Sequence, residues 1–184
     1  MEKKKITIIG AGMMGSALAF PAAENGHEVH IVGTCLDDKI IDGYLATGKH
    51  EKFCRPFPEN VNYHYFKDWK TVVEGSDFVI GGVSSFGVDW FLEEILIQLD
   101  PEMPVLSVTK GLRATDDGSL LSYPGYWMSE LAKRGIHRDI CAVGGPCTSY
   151  ELVFKDPTEV AFCGWDNEVL RMMKQAMQRP YYHI

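Results

Sequence analysis

Three glycines near the start of the chain have the spacing of a phosphate-binding turn. Gly10, Gly12 and Gly15 lie in the run G-A-G-M-M-G, between a β-branched stretch over residues 5–9 and a helical pattern. In that context the first glycine permits a tight turn, and the second lets a pyrophosphate approach the backbone. The third lets the helix pack close to the strand, and free amides at the helix N-terminus face the phosphates. The spacing therefore predicts a dinucleotide-binding βαβ unit.

The end of the second predicted strand bears on which dinucleotide would bind. An acid there usually binds the adenosine ribose of NAD, whereas a cation suits the 2′-phosphate of NADP. In this chain the position is taken by Gly33 and Thr34, and Asp37 and Asp38 follow a few residues later. The sequence therefore leaves NAD and NADP open as cofactor.

Lys110 directly follows a buried strand predicted over residues 104–108, in the turn Thr109-Lys110-Gly111. A residue in this position emerges at the edge of a parallel sheet where ligands bind. Lys110 could there bind an anionic substrate or polarise a carbonyl group. The alternative interpretation is a solvated lysine at the end of a strand.

The turn over residues 144–151, G-G-P-C-T-S-Y-E, follows the next predicted strand and opens a helical turn. Its amides could bind phosphate or the nicotinamide end of a cofactor. Cys147 lies near this helix start, where a thiolate can be stabilised. Because the sequence shows no paired histidine, we expect Cys147 to be a small packed residue.

Strand and helix patterns alternate along the whole chain. Predicted strands lie over residues 5–9, 27–32, 61–66, 77–81, 104–108 and 140–143, with an extended segment beginning at 181–184. Predicted helices lie over residues 14–24, 37–45, 69–74, 86–99, 126–134 and 167–177, and two prolines make residues 53–60 a loop. This alternation predicts an α/β fold of the doubly wound type, a mostly parallel sheet with helices on both faces. Ligands then sit at the carboxyl ends of the strands, in the turns after Ile9, Val32, Ile80, Val108 and Val143.

Composition narrows the class of protein. The 184 residues carry a net charge of −7 and are 46% hydrophobic, which indicates a globular chain without a basic surface for nucleic acid. No apolar run reaches the roughly 18 residues that a membrane span needs. The five cysteines show no metal-ligand spacing, so we predict no metal site and reduced thiols in a cytoplasmic protein.

Four segments occur together, in order and at fitting separations. They are the glycine loop, residues 79–86, the run V-L-S-V-T-K-G-L over residues 105–112, and Gly145-Pro146 followed by Glu151. Together they resemble the N-terminal, Rossmann-type domain of NAD(P)-dependent glycerol-3-phosphate dehydrogenase, over essentially the whole chain. The T-K-G-L turn with G-P-x-x-x-x-E is far more specific than the glycine loop.

The resemblance implies hydride transfer between NAD(P)H and dihydroxyacetone phosphate, a small phosphate substrate, to give sn-glycerol 3-phosphate, or the reverse. It implies that the substrate contacts Lys110, Gly145 and Cys147, with Lys110 as the one polarising group that we can name. It implies cofactor contacts at Gly10, Gly12, Met13, Met14, Gly15, Thr34, Phe86 and Ser149. The chain departs from the family pattern at Cys147, usually Ser or Thr, at Thr148, usually aromatic, and at Ser149, usually Ala.

Members of that family continue into a helical domain that carries the lysine acting as general acid and base. The resemblance therefore implies that residues 1–184 form the dinucleotide-binding domain and are nearly inactive alone. An apolar face exposed without that domain predicts a homodimer or poor solubility. Two alternatives remain: a stand-alone, non-catalytic dinucleotide-binding module, and a related two-domain reductase such as ketopantoate reductase, which matches T-K-G-L and G-P less well.

Overall fold

A seven-stranded sheet forms the centre of the computed structural model, which describes residues 2–116 and 118–184. The strands in chain order are β1 (Lys5–Ile9), β2 (Glu28–Val32), β3 (Val61–His64), β4 (Phe78–Gly81), β5 (Val105–Ser107), β6 (Leu112–Ala114), β7 (Leu120–Ser122), β8 (Ile140–Gly144), β9 (Thr158–Glu159), β10 (Ala161–Cys163) and β11 (Tyr182–His183). The helices are α1 (Met13–Glu24), α2 (Asp38–Thr47), α3 (Trp69–Val73), α4 (Val88–Phe91), α5 (Tyr123–Lys133), α6 (Ser149–Phe154) and α7 (Asn167–Met177).

The strand order of the central sheet is β10-β8-β5-β4-β1-β2-β3. Within the described residues, β10 alone runs antiparallel to its neighbour in this sheet. From β1 the chain proceeds outward to β3, then returns to place β4 on the other side of β1. The order therefore reverses between β1 and β4, which leaves a crevice at their carboxyl ends. The predicted doubly wound, Rossmann-type fold is confirmed.

Helices cover both faces of the sheet. Helices α1, α2, α6 and α7 pack with alternate strand residues such as Ile6, Ile8 and Ile80 in one core cluster. Helices α3, α4 and α5 pack with the intervening residues, such as Ile9 and Val79, in the other. Burial on both faces explains why the central strands β4, β5 and β8 are apolar at nearly every position instead of alternating with polar residues.

Three features of the structure differ from the sequence-based expectation. The helix predicted over residues 86–99 is a 3₁₀ turn (Ser85–Gly87), then α4, then a π-helical turn (Leu92–Leu96). The hairpin β6–β7 was not predicted, because its side chains are largely exposed and carry no β-branched residues. Strands β9 and β10 were also not predicted. The extended segment predicted at 181–184 contains β11, which pairs with β9 in a separate small sheet.

The described part of the chain contains no candidate for a membrane-spanning helix. None of the helices over residues 2–116 and 118–184 is long and apolar enough to cross a bilayer.

Candidate nucleotide-binding site

Three glycines bring the start of α1 against the ends of β1 and β4. A Cβ on Gly15 would lie 2.2 Å from the carbonyl oxygen of Gly10, and a Cβ on Gly10 would lie 2.8 Å from the carbonyl of Gly82. A Cβ on Gly82 would in turn lie 2.9 Å from the Cα of Gly15. Gly10 also has a φ of +113°, which favours glycine. The predicted tight turn and close helix packing are therefore present, and Gly82 completes them.

Gly12, unlike Gly10 and Gly15, lies in open space. It is the N-cap of α1, and no described atom other than those of Gly12 and its two chain neighbours lies within 4 Å of where its Cβ would be. The first amides of a helix have no partner within the helix. The backbone at Gly12, Met13 and Met14 is therefore available to a ligand from the open side, while the Met13 and Met14 side chains pack against the core.

Two buried hydroxyl groups hold the glycine loop in place. The Ser16 and Tyr44 oxygens lie 3.0 and 2.9 Å from the carbonyl oxygen of Ala11, and 2.6 Å from each other. Burial raises the pKa of Tyr44, so the phenol stays protonated and can donate. This bracing joins α1 and α2 to the loop, and sequence reasoning did not identify it.

Asp37 links the loop after β2 to the glycine loop. Its Oδ2 accepts hydrogen bonds from the amides of Thr34 and Ala11, at 2.8 and 3.2 Å. At Gly33, where an acid commonly stands, a Cβ would lie 2.9 Å from Ile41 and 3.1 Å from the Cβ of Asp37. Asp37, and not residue 33, therefore supplies the carboxylate between the end of β2 and the glycine loop. The feature of the sequence that could have indicated this is an acid a few residues after the strand.

The loops after β1, β2 and β4 enclose a cleft of about 310 Å³. Its walls include backbone at Gly10, Gly12 and Gly82 and side chains of Thr34, Asp37, Phe86 and Trp90. Phe86 is 98% exposed and Leu36 is 87% exposed, so the loop after β2 and the loop after β4 each bring an exposed apolar side chain to the cleft. Exposed apolar groups beside open backbone amides fit a ligand with flat rings and phosphates.

The turn after β5 joins the cleft to the turn after β8. The Thr109 hydroxyl donates to the carbonyl oxygen of Val83 at 2.7 Å, and the Lys110 ammonium donates to the carbonyl oxygen of Gly145. Lys110 itself is exposed. Gly145 has a φ of +121°, and a Cβ there would lie 3.1 Å from Val160. Lys110 and Gly145, which were predicted to share a substrate, are thus in direct contact.

The turn after β8 is fixed by a capping box at the start of α6. The Thr148 hydroxyl accepts from the Glu151 amide, and the Glu151 carboxylate accepts from the Thr148 amide. That amide lowers the pKa of Glu151. Cys147 is buried beside it, as expected of a small packed residue, and burial raises the pKa of its thiol. Ser149 is the first residue of α6.

The structure therefore brings some predicted residues together and separates others. Gly10, Gly12, Thr34 and Phe86 line one cleft, and Lys110 contacts Gly145 at the same sheet edge. Gly15 lies beneath the loop as a packing residue. In residues 2–116 and 118–184, no group of three or more His, Cys, Asp or Glu side chains is placed to bind a metal ion.

Comparison with known proteins agrees with this geometry. A family model described as "NAD-dependent glycerol-3-phosphate dehydrogenase N-terminus" matches residues 5–169. The NADP(+)-dependent glycerol-3-phosphate dehydrogenase of Archaeoglobus fulgidus is 29% identical over 179 residues, which are 97% of this chain and 52% of the relative. A glycerol-3-phosphate dehydrogenase of Francisella philomiragia is 30% identical over 169 residues, or 90% of this chain and 47% of the relative.

Solved structures show the same fold. Glycerol-3-phosphate dehydrogenase of Coxiella burnetii superposes with a TM-score of 0.82 at 21% identity, over 98% of this chain and 53% of that one. The chain spans about half the length of the curated relatives it matches. The family match also decides against the ketopantoate reductase alternative. This chain belongs to the family of NAD-dependent glycerol-3-phosphate dehydrogenase N-terminal domains.

Proposed function

We propose that this chain binds NAD or NADP in the cleft at the carboxyl ends of β1 and β4. The observation that carries the proposal is the packed contact of Gly10, Gly15 and Gly82 beneath an open Gly12. A side chain on any of the three would move the helix start away from the strands, and a side chain on Gly12 would fill the approach to the amides. The residues present therefore fit a dinucleotide.

We further propose that this chain, with NAD or NADP bound, serves as the nucleotide-binding half of an enzyme that interconverts dihydroxyacetone phosphate and sn-glycerol 3-phosphate. The cofactor supplies or accepts a hydride when bound. Amides at Gly12, Met13 and Met14 hold the pyrophosphate at the positive end of α1. Thr34 and Phe86 border the cleft and position the rest of the dinucleotide.

Lys110 is the residue that we assign to the substrate. Its ammonium is exposed at the same sheet edge as the cleft, and Thr109 ties its turn to the loop after β4. A positive charge in that position attracts a phosphate ester or polarises a carbonyl. Gly145 and Cys147 lie on the turn that Lys110 contacts, and we assign them to the same subsite.

Reduction of a ketone also requires a proton at the developing alkoxide. Cys147 is buried with a raised pKa, which makes it a poor donor to a substrate in the cleft. We place the general acid in polypeptide outside these 184 residues, since the curated relatives are about twice as long. The isolated chain should then bind cofactor with negligible turnover. Location in the cytoplasm and homodimer formation stay predictions.

Titration of the chain with NADH, with and without glycerol 3-phosphate, tests the proposal. We expect NADH to bind and glycerol 3-phosphate to change its affinity. Lys110→Ala should abolish that change while leaving NADH affinity within about twofold, and Lys174→Ala, an exposed lysine on α7, is the matched control. Failure to bind NADH would refute the nucleotide assignment. Binding with no response to glycerol 3-phosphate would favour a non-catalytic nucleotide-binding module.

A turnover assay with dihydroxyacetone phosphate and NADH tests where the general acid lies. We expect a negligible rate from the 184-residue chain, because we assign Lys110 to binding and polarising the substrate and place the general acid in other polypeptide. Full activity in this chain would contradict the assignment of the general acid to other polypeptide.

A further inference from the structure

Asp37 lines the cleft at the corner between the glycine loop and the loop after β2, and no role was predicted for it from the sequence. We propose that Asp37 replaces the acid usually found at the end of β2 and makes this site select NAD over NADP. The inference rests on the proposed function, since it assumes that a dinucleotide occupies the cleft. It adds a residue that determines the choice of cofactor, on which the relatives differ, since one is named for NADP(+) and another for NAD(P)+.

The position of the carboxylate follows from the contacts around it. Gly33 leaves no room for a side chain, because a Cβ there would meet Ile41 and Asp37. The chain instead turns through Thr34, and Asp37 returns its carboxylate to the glycine loop. Hydrogen bonds from the amides of Thr34 and Ala11 fix Oδ2 in that position.

The second carboxylate oxygen is left for a ligand. Oδ1 of Asp37 accepts no hydrogen bond from the residues that the structure describes, although Asp37 lines the cleft. A carboxylate oxygen held in this way can accept hydrogen bonds from ribose hydroxyl groups. The two amides already satisfy Oδ2, so Asp37 can bind the ribose without losing its role in holding the loops together.

A 2′-phosphate would meet an unfavourable charge at this corner. No ion pair joins Asp37 to a Lys or Arg in the described residues. Lys39, the cation nearest in sequence, lines a different pocket with Tyr44 and His50. Bringing a phosphate dianion to a carboxylate without a cation is repulsive, because like charges at short range disfavour each other. The corner therefore favours a free 2′-hydroxyl.

This preference separates the chain from its Archaeoglobus relative, whose name specifies NADP(+). Titration of the wild-type chain with NADH and with NADPH should show at least tenfold tighter binding of NADH. Equal affinities, or tighter binding of NADPH, would overturn the inference while leaving the nucleotide site itself in place. Binding of neither cofactor would instead refute the proposed function, and the inference with it.

Two variants test whether Asp37 is responsible. Asp37→Asn keeps one oxygen to accept the Thr34 and Ala11 amides but replaces the free oxygen with an amide donor. We expect the ratio of NADPH to NADH dissociation constants to fall at least tenfold. Asp38→Asn removes the same charge from an exposed neighbour and should leave the ratio within about twofold.

Thermal melting of each variant without ligand shows whether the fold is retained. An unchanged ratio in folded Asp37→Asn would overturn the assignment. If Asp37→Asn does not fold, the wild-type titration with the two cofactors still decides whether the site selects NAD.

Discussion

Replacement of Gly15 by alanine is the sharpest test of the packed glycine contact. The added Cβ would lie 2.2 Å from the Gly10 carbonyl oxygen. Because ordinary contacts between heavy atoms begin near 3.5 Å, the start of α1 must move by about 1 Å. Both colliding groups are close to backbone, so no side chain can rotate out of the way.

The expected loss of stability is the difference between two opposing effects. Alanine favours the helix over glycine by about 1 kcal/mol. Overpacking a close contact costs about 1 to 3 kcal/mol, and a collision with backbone belongs at the upper end. The net loss for Gly15→Ala is then about 2 kcal/mol, which lowers the melting temperature of a chain of this size by about 4 to 8 °C.

Urea and thermal unfolding measure this loss, and two other glycines provide controls. Gly43 lies inside α2, and nothing beyond the neighbouring backbone of its own helix lies within 4 Å of its Cβ position, so Gly43→Ala should gain stability from helix propensity. Gly12→Ala also meets open space and should melt close to the wild type. If Gly15→Ala proved as stable as Gly43→Ala, the contact among Gly10, Gly15 and Gly82 would not be what holds the helix start.

Three further predictions concern stability and reactivity. Tyr44→Phe removes a hydroxyl that contacts Ala11 and should lower the free energy of unfolding by about 1 to 2 kcal/mol in urea titrations, whereas no change would contradict the bracing role. Burial lowers the pKa of His27 below its ordinary 6.5, so the unfolded chain binds a proton more readily than the folded chain. The contribution of neutral His27 to the free energy of unfolding should be fully present above about pH 6.5 and should be lost as the pH falls. A urea midpoint that rises from pH 7.5 to pH 5.5 would refute this. Buried Cys147 should react with Ellman's reagent at least tenfold more slowly than exposed Cys163, and equal rates would contradict its packing.

Much of the fold was predictable because the strands are short apolar runs buried on both faces. Because these strands alternate with helices along the chain, few topologies of the sheet are possible. Helix boundaries were less predictable where local contacts decide them. Helix α5 begins at Tyr123 and not at 126, because the Ser122 hydroxyl accepts from the Gly125 amide and Pro124 is tolerated in a first turn. The π-helical turn after α4 has no signature in the pattern of apolar residues.

Residues of the candidate site could be predicted where their role depends only on residue type and on spacing within one short segment. A glycine loop between strand and helix predicts its own geometry, and the structure places Gly10 and Gly15 as expected. Gly82 and Asp37 were not predicted as site residues, because their roles depend on contacts between loops that are distant in sequence. Glu151, part of the family motif, proves to cap α6, which is a local role that its spacing from Thr148 could have indicated.

The central claim is that a dinucleotide lies over the open backbone at Gly12. Calorimetric titration of NADH into the wild-type chain and into Gly12→Ala tests it most directly, because the added Cβ collides with no other part of the described structure. We predict one NADH bound per wild-type chain and at least tenfold weaker binding to Gly12→Ala, with little change in the melting temperature without ligand. Equal NADH affinity in the two proteins would contradict the claim.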